Sequence, residues 1–179
     1  MKTFIALLRG INVGGQKKIK MADLRKALQN IGLESVTTYI QSGNIVFCSN
    51  EGDIQKLEES IFDAIKKDFG FEVPTLIISQ DEIESMLTSN PFSNQTELNN
   101  LYFVLLKQSP SNELMEQFNK LKFENEDFDI ETNCVYLSCK KGYGKAKLNN
   151  NLVENKLKVQ ATARNLRTMQ KLLELARET

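Results

Sequence analysis

Segments with strand and helix periodicity follow one another in the order strand, helix, strand, strand, helix, strand, and this order occurs twice. Thr3–Arg9 is an apolar run suited to a buried strand. Lys20–Ile31 carries Leu24, Ala27, Leu28 and Ile31 at helical spacing and closes at Gly32; no Ser, Thr, Asp or Asn stands at its start to cap it. Ser35–Ile40 and Asn44–Ser49 are β-branched strands joined by Gln41-Ser42-Gly43. A helix over 53–68 is capped by Asp53 and closed by Gly70, and Val73–Ser79 follows with Pro74 where an edge strand tolerates it.

The second half begins after a short helix at Asp81–Ser89, capped by Ser79 or Gln80, and a polar stretch over 90–100 that reads as a linker. Leu101–Lys107 is a strand, and Ser111–Leu121 a helix with Pro110 at its first position. Phe128–Thr132 and Val135–Cys139 are strands around Asn133. Lys145–Leu157 is a helix, Val159–Ala161 a short strand, and Asn165–Arg177 the last helix. The expected fold is α+β: two tandem ferredoxin-like (βαββαβ) subdomains packed side by side. Residues 1–80 form the first, 81–100 the connection, and 101–179 the second with its C-terminal helix. No sequence identity between the halves is evident, so the repeat is one of element order.

Composition narrows the chemistry. The chain has no histidine, which removes the commonest general base and metal ligand, and no metal site or cofactor is expected. Cys48, Cys134 and Cys139 lack CxxC spacing and read as reduced core thiols of a cytoplasmic protein. No apolar run reaches the roughly 20 residues of a membrane span, and Arg9 cuts the first run too short for a signal peptide. The carboxylate pairs Glu51 with Asp53 and Glu58 with Glu59 read as solvated helix-surface groups rather than an acid/base couple.

Formal net charge is zero, but the charges are segregated. Residues 1–30 hold seven Lys/Arg and one acid, and residues 140–171 hold nine and one; the segment between holds six Lys and nineteen Asp/Glu. A basic face follows if the fold brings the two ends together.

Three basic stretches are candidate sites. In the first, Arg9 ends a strand, Asn12 and the Gly14-Gly15 pair form a loop, and Lys17 and Lys18 lead towards an uncapped helix. Paired glycines can turn successive N–H groups on one anion, and an arginine adds a bidentate contact. The spacing is neither a Walker A motif nor GxGxxG, and a strand-to-helix turn with surface lysines explains the residues equally well. Gln41, Ser42 and Asn44 put many hydrogen-bonding groups in one hairpin turn. A ferredoxin-like unit is expected to hold that hairpin at the opposite end from the first loop. The second stretch, Lys140-Lys141-Gly142-Tyr143-Gly144-Lys145-Ala146-Lys147, is again expected to open a helix, with Tyr143 as a stacking or hydroxyl-donating residue. In the third, Arg164, Arg167 and Lys171 fall on one stripe of the last helix beside Asn165. Two arginines in a first turn oppose the helix dipole unless an anion sits there.

The combination Arg9-Gly10-Ile11-Asn12-Val13-Gly14-Gly15, Gln41-Ser42-Gly43-Asn44 and Thr162-Ala163-Arg164-Asn165-Leu166-Arg167-Thr168 resembles a bacterial family, domain of unknown function 1697. The resemblance spans essentially the whole chain. It implies a cytoplasmic protein of tandem ferredoxin-like architecture and supplies no reaction. Leu166 stands where the family's pattern has a tryptophan, which weakens any stacking role there. The functional expectation is an anion-binding module that recognises phosphates of a nucleotide or nucleic acid through the two Gly/Lys loops and the Arg stripe. An enzyme acting on a small phosphorylated or carboxylated substrate and a scaffold for a protein partner are the alternatives, and the oligomeric state is open.

Overall fold

The computed structural model describes residues 1–95 and 98–179. The chain is α+β and divides into two compact units: Met1–Glu84 with Gln170–Thr179, and Ser85–Met169. Of the linker expected over 90–100, residues 96 and 97 lie outside the described residues.

Unit 1 contains β1 (Lys2–Leu8), α1 (Met21–Asn30), β2 (Glu34–Tyr39), β3 (Asn44–Ser49), α2 (Ile54–Phe69) and β4 (Thr75–Ser79). Its sheet has the order β2-β3-β1-β4, with every neighbouring pair antiparallel. After α3 (Gln80–Thr88), unit 2 repeats the pattern with β5 (Leu101–Leu106), α4 (Asn112–Asn119), β6 (Glu126–Glu131), β7 (Cys134–Cys139), α5 (Asn150–Leu157) and β8 (Ala161–Asn165), in the antiparallel order β6-β7-β5-β8. The last helix, α6, spans Leu166–Glu178.

One face of each sheet packs on its own two helices. In unit 1, Phe4, Ala6 and Leu8 of β1 meet Ile45 and Phe47 of β3, Leu24 and Leu28 of α1, and Ile61 and Ile65 of α2. In unit 2, Val104 and Leu106 of β5 pack with Val135 and Leu137 of β7, Phe118 of α4, and Val153 and Leu157 of α5. Alternate residues pointing the other way (Ile5, Leu7 and Val46; Phe103, Leu105 and Tyr136) are equally buried. Burial on both faces is why the central strands read as continuous apolar runs rather than alternating ones.

Element ends follow local hydrogen bonding. Asp53 caps α2 by accepting from the N–H groups of Gln55 and Lys56, and Gly70 closes it in the left-handed conformation. Ser79 and Glu82 form a capping box at α3: the Ser79 hydroxyl accepts from the Glu82 N–H, and the Glu82 carboxylate accepts from the Ser79 N–H.

Four local expectations are corrected. Pro110 is not in the first turn of α4, because Ser111 is the cap and accepts from Leu114 N–H. The helix expected from Lys145 starts at Asn150. Asn149 caps it there, and Tyr143–Lys145 form a separate single 3-10 turn. The strand expected at Val159–Ala161 is Ala161–Asn165 instead, so Arg164 belongs to β8 and not to the last helix. Finally, Glu58 is buried on α2, where its carboxylate accepts from the Ile77 N–H at 3.0 Å. Edge strand β4 has that N–H facing away from its sheet, which makes a helix carboxylate the natural acceptor.

Candidate functional site

The antiparallel register decides which loops meet in unit 1. Leu7 pairs with Asn44 and Leu8 with Thr75, so the end of β1, the β2–β3 turn and the start of β4 share one end of the sheet. This corrects the expectation that the hairpin and the first loop lie at opposite ends: in an antiparallel pair, the end of one strand faces the beginning of its neighbour. Backbone bonds tie the three segments together. Leu8 N–H donates to the Gly43 carbonyl at 2.8 Å, and Arg9 N–H to the Pro74 carbonyl at 3.0 Å.

Between β1 and α1, residues 9–20 fold into a small hairpin. Asn12 N–H donates to the Lys17 carbonyl and Gln16 N–H to the Val13 carbonyl, and Val13 and Gln16 form an isolated bridge. Gly14 (φ 59°) and Gly15 (φ 76°) are the two turn residues, and positive φ at both is what a type I′ turn requires. Asn12 fastens this hairpin down. Its amide donates to the Ile19 carbonyl at 3.0 Å and to the Gln41 carbonyl at 2.8 Å, while its Oδ1 accepts from Ile19 N–H at 2.9 Å. One side chain thus joins the loop's exit to the β2–β3 turn.

Four cations and no acid lie in residues 9–20: Arg9, Lys17, Lys18 and Lys20. Arg9 and Lys17 are half-buried, and Lys18 and Lys20 are exposed. The Lys17 ammonium donates to the Glu72 carbonyl at 2.7 Å. The carboxylate of Glu72 is held by Lys66 at 2.7 Å, which lowers its pKa by hydrogen bonding and charge and leaves its negative charge matched. Lys20 is the cap position of α1, and no side chain caps that helix. The remaining members of the turn serve its shape. Asn44 is fully buried, and its amide donates to the Tyr39 carbonyl and the Ser42 hydroxyl, while Gln41 is exposed beside its bonded carbonyl.

Unit 2 repeats this frame. Leu106 N–H donates to the Asn133 carbonyl at 2.9 Å and Lys107 N–H to the Gln160 carbonyl at 2.8 Å, the counterparts of Leu8 with Gly43 and Arg9 with Pro74. The sequence carries a trace of this equivalence that element order alone misses: Leu7-Leu8-Arg9 and Leu105-Leu106-Lys107 occupy the same register positions. The connections that follow differ. Five residues, 107–111, reach α4, whereas twelve, 9–20, reach α1.

The second basic stretch lies in unit 2. Tyr143 stacks on Tyr102 at a centroid distance of 4.6 Å, and its hydroxyl accepts from Asn150 N–H at 2.9 Å, so the ring packs and the oxygen takes up an N–H at the start of α5. Lys145 and Lys147 are exposed, and Lys140 pairs with Asp127 at 3.1 Å. The third stretch is not one stripe. Arg164 is buried in β8 and donates to the Thr162 hydroxyl and the Ala163 carbonyl, and burial pulls its pKa down to about 10. Asn165 caps α6 by accepting from Thr168 N–H; Arg167 is exposed; Lys171 pairs with Glu174. Charge segregation in sequence therefore does not become one set of solvent-facing cations within unit 2.

The three thiols are free and buried. Burial, and then the carboxylate of Glu126, pushes the Cys139 thiol up from 9.0 to about 11, and burial raises Cys134 as well. A thiol that holds its proton more tightly when folded stabilises the fold below about pH 9, and that contribution is lost as pH rises towards 11. Stability measured by urea denaturation is expected to fall between pH 9 and 11, and aromatic disulfide reagents to label native Cys134 and Cys139 only as fast as the protein opens. Rapid stoichiometric labelling of the native chain at pH 8 would contradict this placement.

Among the described residues no three His, Cys, Asp or Glu side chains gather as a metal site, and no helix is long and apolar enough to cross a membrane. The family model for Protein of unknown function (DUF1697) matches residues 1–136. The chain belongs to that family. The DUF1697 match takes in all of loop 9–20 and the β2–β3 turn and stops before the motif Thr162–Thr168. Among solved structures, the chain is similar to the conserved bacterial protein SP0830 from Streptococcus pneumoniae, with 24% identity, a TM-score of 0.75 and 98% of each chain covered, a likeness of fold. A search of curated proteins finds no match.

Proposed function

We propose that this DUF1697 chain binds a phosphate-bearing ligand at the β1–α1 loop of unit 1, with Arg9, Lys17 and Lys18 supplying the charge. The observation that carries the reading is the contrast between equivalent connections. The same strand-to-helix crossing takes five residues in unit 2 and twelve, with four cations and no acid, in unit 1. Loops longer than the crossing needs are where binding residues concentrate. Asn12 and the glycine turn hold this one in a fixed shape, which reduces the ordering that binding would otherwise require. The uncapped start of α1 adds N–H groups to the same end.

We propose further the fold of each unit, the compartment of the protein and a second surface. Each unit is ferredoxin-like, a reading supported by the βαββαβ order and the repeated strand order β2-β3-β1-β4 and β6-β7-β5-β8. The protein works in the cytoplasm, which three free thiols support. Lys145 and Lys147 belong to a second, weaker anion surface on unit 2, a reading supported by their exposure and their closeness in sequence.

The test is a thermal-shift panel of inorganic phosphate, phosphosugars, nucleotides and short oligonucleotides on the full chain. At least one phosphate compound is expected to raise the Tm, and Arg9→Ala or the Lys17→Ala/Lys18→Ala pair to remove the shift. A shift that all these substitutions leave intact would overturn the assignment. A nucleic-acid ligand would add a steep fall of affinity with salt.

A further inference from the structure

We infer that the ligand of this loop carries a flat apolar group, a nucleobase, beside its phosphate, and that Val13 and Ile40 are the side chains that hold it. The inference rests on the phosphate reading above. Val13 is 64% exposed and Ile40 51%, two of the few large apolar side chains left in water among the described residues. They come from different segments. Yet each is the chain neighbour of one end of the Asn12–Gln41 hydrogen bond, which fixes the two segments against each other. Lys18 and Lys20 of the same loop are exposed nearby in sequence.

Ile40 adds a second observation. Its φ is +47°, the left-handed region, where a β-branched residue is strained and glycine or asparagine would be comfortable. Turn position and solvent exposure both favour a small polar residue here, so folding alone does not account for isoleucine. Strained residues of this kind are found where a ligand uses them. Inorganic phosphate or a phosphosugar has no face to lay on two aliphatic side chains. A nucleotide has both parts, an anion for the loop cations and a flat apolar ring for Val13 and Ile40, and a nucleic acid offers the same pair at each residue.

The experiment compares adenosine 5′-monophosphate, ribose 5-phosphate and a short single-stranded oligonucleotide by calorimetric titration of the full chain, with Val13→Ser and Ile40→Asn. The nucleotide is expected to bind roughly tenfold or more tighter than ribose 5-phosphate. Each substitution should weaken nucleotide binding about fivefold to tenfold and leave ribose 5-phosphate unchanged. Ile40→Asn is also expected to raise the Tm, because asparagine tolerates the left-handed turn. That separates loss of binding from loss of fold. Tighter oligonucleotide binding with a steep salt dependence would identify nucleic acid as the source of the base. Equal affinity for the two small phosphates, or indifference to both substitutions, would overturn the base contact while leaving the phosphate reading standing. If no phosphate compound binds, the phosphate reading itself has failed. Self-association abolished by Val13→Ser would overturn the inference in favour of a second copy of the chain.

Discussion

Gly43→Ala is expected to lower the unfolding free energy by about 2 to 5 kcal/mol. Gly43 sits at φ +79° in the β2–β3 turn, and a Cβ there would lie 2.5 Å from the Leu8 Cβ and 3.2 Å from the Ile11 Cδ1. The first contact involves an atom attached directly to the backbone of a central strand, so neither side can swing away. Relief requires moving the turn off β1, and that breaks the bond from Leu8 N–H to the Gly43 carbonyl. The matched control is Gly14→Ala. Its φ is also positive (+59°), but nothing lies within 4 Å of a Cβ, so only the backbone strain of about 1 kcal/mol applies. Urea denaturation followed by circular dichroism measures both. Equal losses for the two variants would show that the turn does not press on β1.

Asn12→Ala is expected to have the second largest effect, about 2 to 4 kcal/mol of stability and at least about tenfold of phosphate affinity. Three hydrogen bonds vanish together, leaving Ile19 N–H and the Ile19 and Gln41 carbonyls without the side-chain partner they have now. Asparagine is also the side chain that best tolerates the φ of +54° at this position, so alanine adds strain. Asn12→Asp separates the parts, because it keeps the acceptor for Ile19 N–H and loses both donated bonds. Its stability is expected to fall between wild type and Asn12→Ala. The binding loss should follow the Gln41 contact and therefore resemble that of Asn12→Ala.

Much of the α+β pattern was legible because local signals agreed with one another. Asp53 and Gly70 bracket α2 by chemistry visible within a few residues, and the leucine spacing of α1 is visible in the same way. Errors arose where two valid signals competed. Lys145 opens a lysine-rich, helix-compatible run, but Asn149 offers a better cap five residues from the end of a glycine loop, and the helix starts after it. Arg164 has helical spacing to Arg167 and Lys171. Asn165 caps α6, however, and assigns everything before it to a strand. Glu58 shows the limit of local reasoning: only the pairing of β4 reveals the buried N–H that needs its carboxylate. The candidate site was legible only as residue types. Arg9, the glycine pair and the lysines stand out as residue types, but the role of Asn12 depends on a contact 29 positions away. The exposed Val13 and Ile40 resemble ordinary apolar residues until exposure and φ are known.

The most direct measurement is a titration of the isotopically labelled full chain with a phosphate compound, following backbone amide resonances. The largest shifts are expected on residues 10–20 and 40–43, saturating together, and Arg9→Ala is expected to suppress them. Saturating shifts confined to residues 140–147, with the β1–α1 loop silent, would contradict this placement of the site.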